Sequence, residues 1–77
     1  MNMKLGTEKM LTKGTLQAWG SEIERVWLTK WMPTGEYQVM GLCVEYAEDG
    51  TRLRATGWCT LFGGTFKECR AYARNLA

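Results

Sequence analysis

The chain has 77 residues and a mass of 8.8 kDa, is 45% apolar, and carries 10 basic against 8 acidic side chains with a single proline. It is too apolar and too weakly charged for a disordered tail, too short for two domains, and lacks an apolar run near the ~20 residues that a bilayer-spanning helix needs. With three cysteines outside any C-x-x-C spacing and no histidine, the sequence predicts one soluble, cytoplasmic domain over residues 1–77 with reduced thiols, no metal and no cofactor.

Residues 1–6 carry no anchoring pattern and are expected to be loose. Thr7 to Lys13 fits a short helix ended by Gly14, and Lys9–Thr12 with Thr15–Trp19 fits a hairpin about Lys13-Gly14. An extended run from Leu16 into the next strand fits best. A strand follows over residues 22–32, closed by Met32-Pro33-Thr34-Gly35, where Pro supplies a fixed φ and Gly a positive one for a three-residue hairpin loop. That loop places Leu28 opposite Met40 and Val26 opposite Leu42 on one face, with Trp31 opposite Tyr37 and Trp27 opposite Gly41 on the other.

The second strand, residues 36–47, runs into Asp49-Gly50, a signature of a two-residue type I′ turn, and the third spans 52–62. In this register Val44 faces Ala55, Leu42 faces Gly57 and Met40 faces Cys59. On the opposite face Glu45 meets Arg54, Gly41 meets Trp58 and Tyr37 meets Phe62. The opposite-charge pair supports the register independently of the apolar pattern.

After Gly63-Gly64, Thr65-Phe66-Lys67-Glu68 reads as a capping box opening a helix over 65–77. Phe66, Cys69, Tyr72, Ala73 and Leu76 gather on one side of it, and Lys67, Arg70 and Arg74 form a basic stripe at its edge. The expected fold is α+β, a three-stranded antiparallel meander with a C-terminal helix packed on one face. The aliphatic Met40-Leu42-Val44 face is the one the helix is expected to cover, with Gly57 allowing close approach and Cys59 and Cys69 as small core residues.

The other face would then carry Trp27, Trp31, Tyr37, Trp58 and Phe62, with Arg25 and Arg54 at its rim. Three explanations compete: the N-terminal segment folds back over it through Met10, Leu11, Leu16 or Trp19, a second copy covers it, or it recognises another macromolecule. Trp, Tyr and Arg are the residue types that dominate interface energy.

Enzymatic chemistry finds little support. There is no histidine, nucleophile elbow, P-loop or dinucleotide fingerprint. Glu22 and Glu24 are a conceivable carboxylate pair, though acids on an edge strand also discourage unwanted strand pairing. Cys43, placed beside Arg25, lacks a base to activate it.

Charge is uneven along the chain. Lys4, Lys9 and Lys13 outnumber Glu8 near the start, and Lys67, Arg70 and Arg74 outnumber Glu68 near the end, while the middle is net acidic. Nucleic acid along the middle would therefore meet little attraction. Over residues 36–77 the order of elements resembles double-stranded RNA-binding domains. That resemblance implies phosphate contacts from Lys67, Arg70 and Arg74, although the family's consecutive lysines at the helix start are replaced by Phe66-Lys67-Glu68. In size and lack of catalytic apparatus the chain is similar to phage and mobile-element proteins that block host defence complexes, anti-CRISPR proteins among them. The expected function is non-enzymatic binding of a protein partner through the aromatic face, with nucleic-acid binding by the helix edge as the alternative.

Overall fold

The computed structural model describes residue 6 and residues 8–76. The loose segment expected at residues 1–6 lies outside the described residues except for Gly6, and Ala77 of the expected helix lies outside them as well. The elements are β1 (Glu8–Met10), β2 (Gln17–Ala18), β3 (Ser21–Trp31), β4 (Glu36–Tyr46), β5 (Arg52–Gly64) and α1 (Phe66–Arg74). All strand pairings are antiparallel, in the order β1-β3-β4-β5, with β2 also on β3.

The meander β3-β4-β5 forms within two residues of its expected bounds. Two further strands come from the N-terminal segment, which lies along the outer edge of β3 instead of forming a helix or a hairpin of its own. Glu8 stands opposite Trp27, Met10 opposite Arg25 and Gln17 opposite Glu22. The expected extended run from Leu16 straight into β3 is broken: only Gln17–Ala18 is strand, and the chain reverses at Trp19 and Gly20, both at positive φ, so that β2 pairs with β3 instead of continuing it.

Loop length and bulges change the register from the simple expectation. The β3–β4 connection holds four residues, Met32–Gly35, with Trp31 opposite Glu36, and the Gly35 amide donates to the Trp31 carbonyl at 2.7 Å. One residue more than the expected loop slides β3 by one position, and because side chains alternate with period two, the slide turns the β3 side chains from Arg25 to Trp31 to the other face of β4. Val26 therefore stands opposite Gly41, Leu28 opposite Val39 and Trp27 opposite Met40. Glu24 is an extra residue that keeps Ile23 on the same side as Val26.

The β4–β5 turn is also a residue longer than a type I′ turn. The Gly50 amide donates to the Ala47 carbonyl at 2.9 Å and the Ala47 amide to the Thr51 carbonyl at 2.8 Å, with Gly50 at φ +90°. Extra residues at Leu53, Thr56 and Leu61 then shift β5 stepwise. The expected pairs Val44–Ala55 and Glu45–Arg54 are present; beyond them Leu42 meets Trp58, Gly41 meets Cys59 and Val39 meets Phe62.

The helix consequently covers the face opposite to the expected one. Cys69 and Ala73 of α1 are fully buried with Ile23, Val26, Leu28 and Val39, and Cys43 joins the same core. Gly41, not Gly57, is the point of close approach: a Cβ at Gly41 would lie 2.9 Å from both Ile23 Cγ2 and Leu61 Cδ1, whereas at Gly57 nothing stands within 4 Å. Cys59 packs against this core too, with Cys43 as its near neighbour, the two sulfurs 3.3 Å apart.

A helix of nine residues is marginal alone, so α1 depends on its docking and its cap. The capping box is complete: Glu68 N–H donates to Thr65 Oγ1 at 3.1 Å and Thr65 N–H to Glu68 Oε1 at 2.9 Å. The Thr65 amide holds the Glu68 carboxyl below the usual range. Tyr37 meets Phe66 with ring centroids 5.2 Å apart, and Phe62 stacks on Tyr72 at 4.9 Å.

Candidate functional site

With α1 on the Val39-Gly41-Cys43 face, the opposite face of the sheet presents Trp27 and Trp31 from β3, Met40 and Leu42 from β4 and Trp58 from β5. Trp27 and Trp58 meet edge to face with centroids 5.7 Å apart, an arrangement that sets positive ring edge against negative ring face. Trp31 is 51% and Trp58 39% exposed. Beside them a groove of about 340 Å³ runs to the β3–β4 loop, walled by Trp27, Thr29, Trp31, Met32, Pro33 and Met40. Its position follows from the loop: four residues carry Met32 and Pro33 past the strand ends, and the period-two alternation brings Trp27, Thr29 and Trp31 to one side.

Of the five aromatic residues expected together, the structure brings together three. Tyr37 and Phe62 belong to the helix side, packed on Phe66 and Tyr72. The reason is in the bulges. Thr56 moves Trp58 from the Gly41 row to the Leu42 row, onto the open face, and Leu61 adds a second step that returns Phe62 to the Val39 row and the core. Met40 and Leu42, read as core residues, replace them on the open face.

The arginines also divide. Arg25 stands opposite Leu42 on the aromatic side, with Nη1 3.4 Å from Glu8 Oε2 and Nη2 3.7 Å from Glu24 Oε1. Arg54 pairs with Glu45 at 3.1 Å, and Glu45 alternates with the core side of β4, so Arg54 is not on the aromatic rim.

Glu22 and Glu24 do not form a shared acid–base pair. Glu22 accepts from the Gly14 amide at 2.8 Å and from Gln17 Nε2 at 3.4 Å. Glu24 accepts two bonds from Arg52, at 2.5 and 3.1 Å, and its side chain is only 12% exposed. The Arg52 guanidinium holds the Glu24 carboxyl below the usual glutamate range. Glu22 is thus held by hydrogen bonds from neutral donors and Glu24 by a structural ion pair in which the fork of Arg52 grips the carboxylate.

On α1, Lys67 and Arg74 are exposed, while Arg70 is half-buried with its guanidinium 5.4 Å from the Phe66 ring centre. Among the described residues no group of three or more Cys, Asp or Glu side chains is arranged to hold a metal ion, and no helix is long and apolar enough to cross a membrane.

The N-terminal segment does not fold over the aromatic face among the described residues. Leu11 and Leu16 join the helix-side core, Met10 is 61% exposed, and Trp19, 77% exposed, donates its indole N–H to the Thr60 carbonyl at 3.3 Å. Comparison of the chain with protein-family models, with curated proteins and with solved structures gives no match.

Proposed function

We propose that this chain is a small non-enzymatic module that binds another protein through the sheet face turned away from α1. The observation that carries the proposal is the grouping of Trp27, Trp31, Met40 and Trp58 outside the helix-covered core. Trp is among the residues that most often act as binding anchors, and a groove beside an exposed indole is a natural receptor for a partner's apolar side chain. Three paired long strands hold these groups, so little conformational freedom remains to be lost on binding. Trp58 and Trp31 are assigned as anchors, Trp27 and Met40 as the groove wall, and Arg25 as the polar edge. The specific form of the reading is an inhibitor of a host defence complex from a phage or mobile element, resting on size and the lack of catalytic apparatus.

The test is affinity capture from the host lysate, with and without nuclease, by the native protein and by a Trp31→Ala, Trp58→Ala variant whose circular dichroism shows it folded. A protein retained after nuclease and lost with the folded variant supports the reading. Material that vanishes with nuclease supports instead nucleic-acid binding by Lys67, Arg70 and Arg74, for which the exposed Lys67 and Arg74 are the favouring observation. A mass that doubles with concentration and reverts with Trp31→Glu would assign the face to a second copy of the chain.

A further inference from the structure

Two of the three thiols are in contact. Cys43 on β4 and Cys59 on β5 lie on one face in rows separated by the Leu42–Trp58 row, Cys43 opposite Gly57 and Cys59 opposite Gly41. Each cysteine therefore faces a residue without a side chain, which leaves the two thiols free to turn diagonally toward one another. The Cys43 thiol donates to Cys59 Sγ at 3.3 Å. A covalent S–S bond is about 2.05 Å long, so closure needs the sulfurs to approach by little more than an ångström, with the two strands drawing together at this diagonal pair. Cys69, fully buried on α1, has no thiol within hydrogen-bond reach among the described residues.

We propose that Cys43 and Cys59 form an oxidisable dithiol that closes to a cross-strand disulfide in the presence of a small-molecule disulfide such as glutathione disulfide. Cys59 is the more exposed of the two and is the entry point. Its thiolate attacks one sulfur of glutathione disulfide; that S–S bond breaks, a Cys59–glutathione mixed disulfide forms, and one glutathione leaves as a thiol. Cys43 then attacks Cys59 Sγ, displacing the second glutathione. Both cysteine protons end on the two glutathione thiols, and the two electrons lost by the cysteines reduce the added disulfide. Burial, reinforced by the Cys43 contact, pushes the Cys59 thiol up to about 11. Closure is consequently slow near neutrality and accelerates by about tenfold per pH unit as the thiolate fraction grows.

The crosslink lies directly behind the candidate site. Cys59 follows Trp58 and Cys43 follows Leu42, and Trp58 and Leu42 are themselves partners across the strands. Closing the disulfide pins the row that presents Trp58, while leaving the Trp31 end of the groove untouched. The inference stands independently of whether that face binds a protein.

The test is on the native chain, incubated with excess glutathione disulfide at mildly alkaline pH, quenched in acid and cut after Lys and Arg. The sequence separates the three thiols completely: Cys43 falls in residues 31–52, Cys59 in 55–67 and Cys69 in 68–70. The expected result is a single linked species joining 31–52 to 55–67, about 2 Da lighter than the two reduced peptides together. It forms at least about tenfold faster than any modification of Cys69, in keeping with exposure control of thiol reactivity, and dithiothreitol reverses it. Cys43→Ser, checked for folding, should trap the Cys59–glutathione adduct instead. Stable glutathione on Cys59 of the native chain with no linked peptide, a link through 68–70, or links only between chains would each overturn the proposal.

Discussion

Gly41→Ala probes the packing that decides which face of the sheet is covered. The added methyl carbon would lie 2.9 Å from Ile23 Cγ2, 2.9 Å from Leu61 Cδ1 and 3.1 Å from Leu61 Cγ. Ile23 is fully buried and Leu61 only half-buried, so relief is expected from Leu61. Overpacking of this kind costs about 1–3 kcal/mol. Removing glycine's freedom from the unfolded chain returns about 0.4–1 kcal/mol. At the middle of both ranges the net loss is about 1.3 kcal/mol, or a fall in Tm of roughly 5–10 °C for a domain of this size. Thermal unfolding followed by circular dichroism measures it. Because Leu61 is the side chain expected to move, adding Leu61→Val should relieve the clash, making the double variant more stable than the sum of the two single changes by roughly 0.5 kcal/mol or more. A neutral or stabilising Gly41→Ala, or strict additivity with Leu61→Val, would refute the placement of Ile23 and Leu61 against Gly41 and with it the helix-side core.

Three further outcomes are expected. Ile23→Val, at a site with no exposure, should cost about 0.5–1.5 kcal/mol, while Leu53→Ser, at a residue 55% exposed, should stay within about 0.5 kcal/mol; urea unfolding distinguishes the two. Thr65→Ala removes the hydroxyl that accepts from the Glu68 amide and should cost about 1 kcal/mol, with faster hydrogen exchange in the first turn of α1 as its local mark. Glu24 is held below the ordinary glutamate value of 4.5 by Arg52, so its contribution to stability is complete above that pH and is lost as pH falls through the lower folded value. Urea midpoints measured down an acid series should fall more steeply for the native chain than for Arg52→Met, and equal slopes would count against the pair.

Much of the fold is legible in the sequence because its signals are local. Thr65 and Glu68 define the helix start through two mutual hydrogen bonds, and Glu45 and Arg54 mark a true row of the β4–β5 ladder. The face covered by the helix is not local. It depends on whether the loop after Trp31 holds three residues or four, and a single residue there decides whether the buried Val26 and Leu28 share their face with Met40 and Leu42 or with Val39 and Gly41.

Some of the bulges leave a trace. Ile23, Val26 and Leu28 are spaced three and then two, which requires an extra residue, Glu24, if all three point inward. Leu61-Phe62 places two apolar residues side by side in a strand, and both reach the helix-side core across a bulge. Thr56 leaves no such mark, and it is the residue that brings Trp58 to the open face. The candidate site was therefore half legible: Trp27, Trp31 and Trp58 are recognisable by type, while Met40 looks like core and Tyr37 and Phe62 look like surface until the register is known. The contact between Cys43 and Cys59 follows from the same bulge, since strict alternation from Val44–Ala55 would place Met40 opposite Cys59.

The central claim is that the face bearing Trp31 and Trp58, and not the helix edge, meets the partner. Its most direct measurement is site-specific photocrosslinking in host lysate treated with nuclease, with benzoylphenylalanine placed at position 31 on the open face in one sample and at position 67 on α1 in another. The account predicts a discrete protein adduct from position 31 and none from position 67. An adduct from position 67 alone, or a nucleic-acid adduct there when nuclease is omitted, would contradict it.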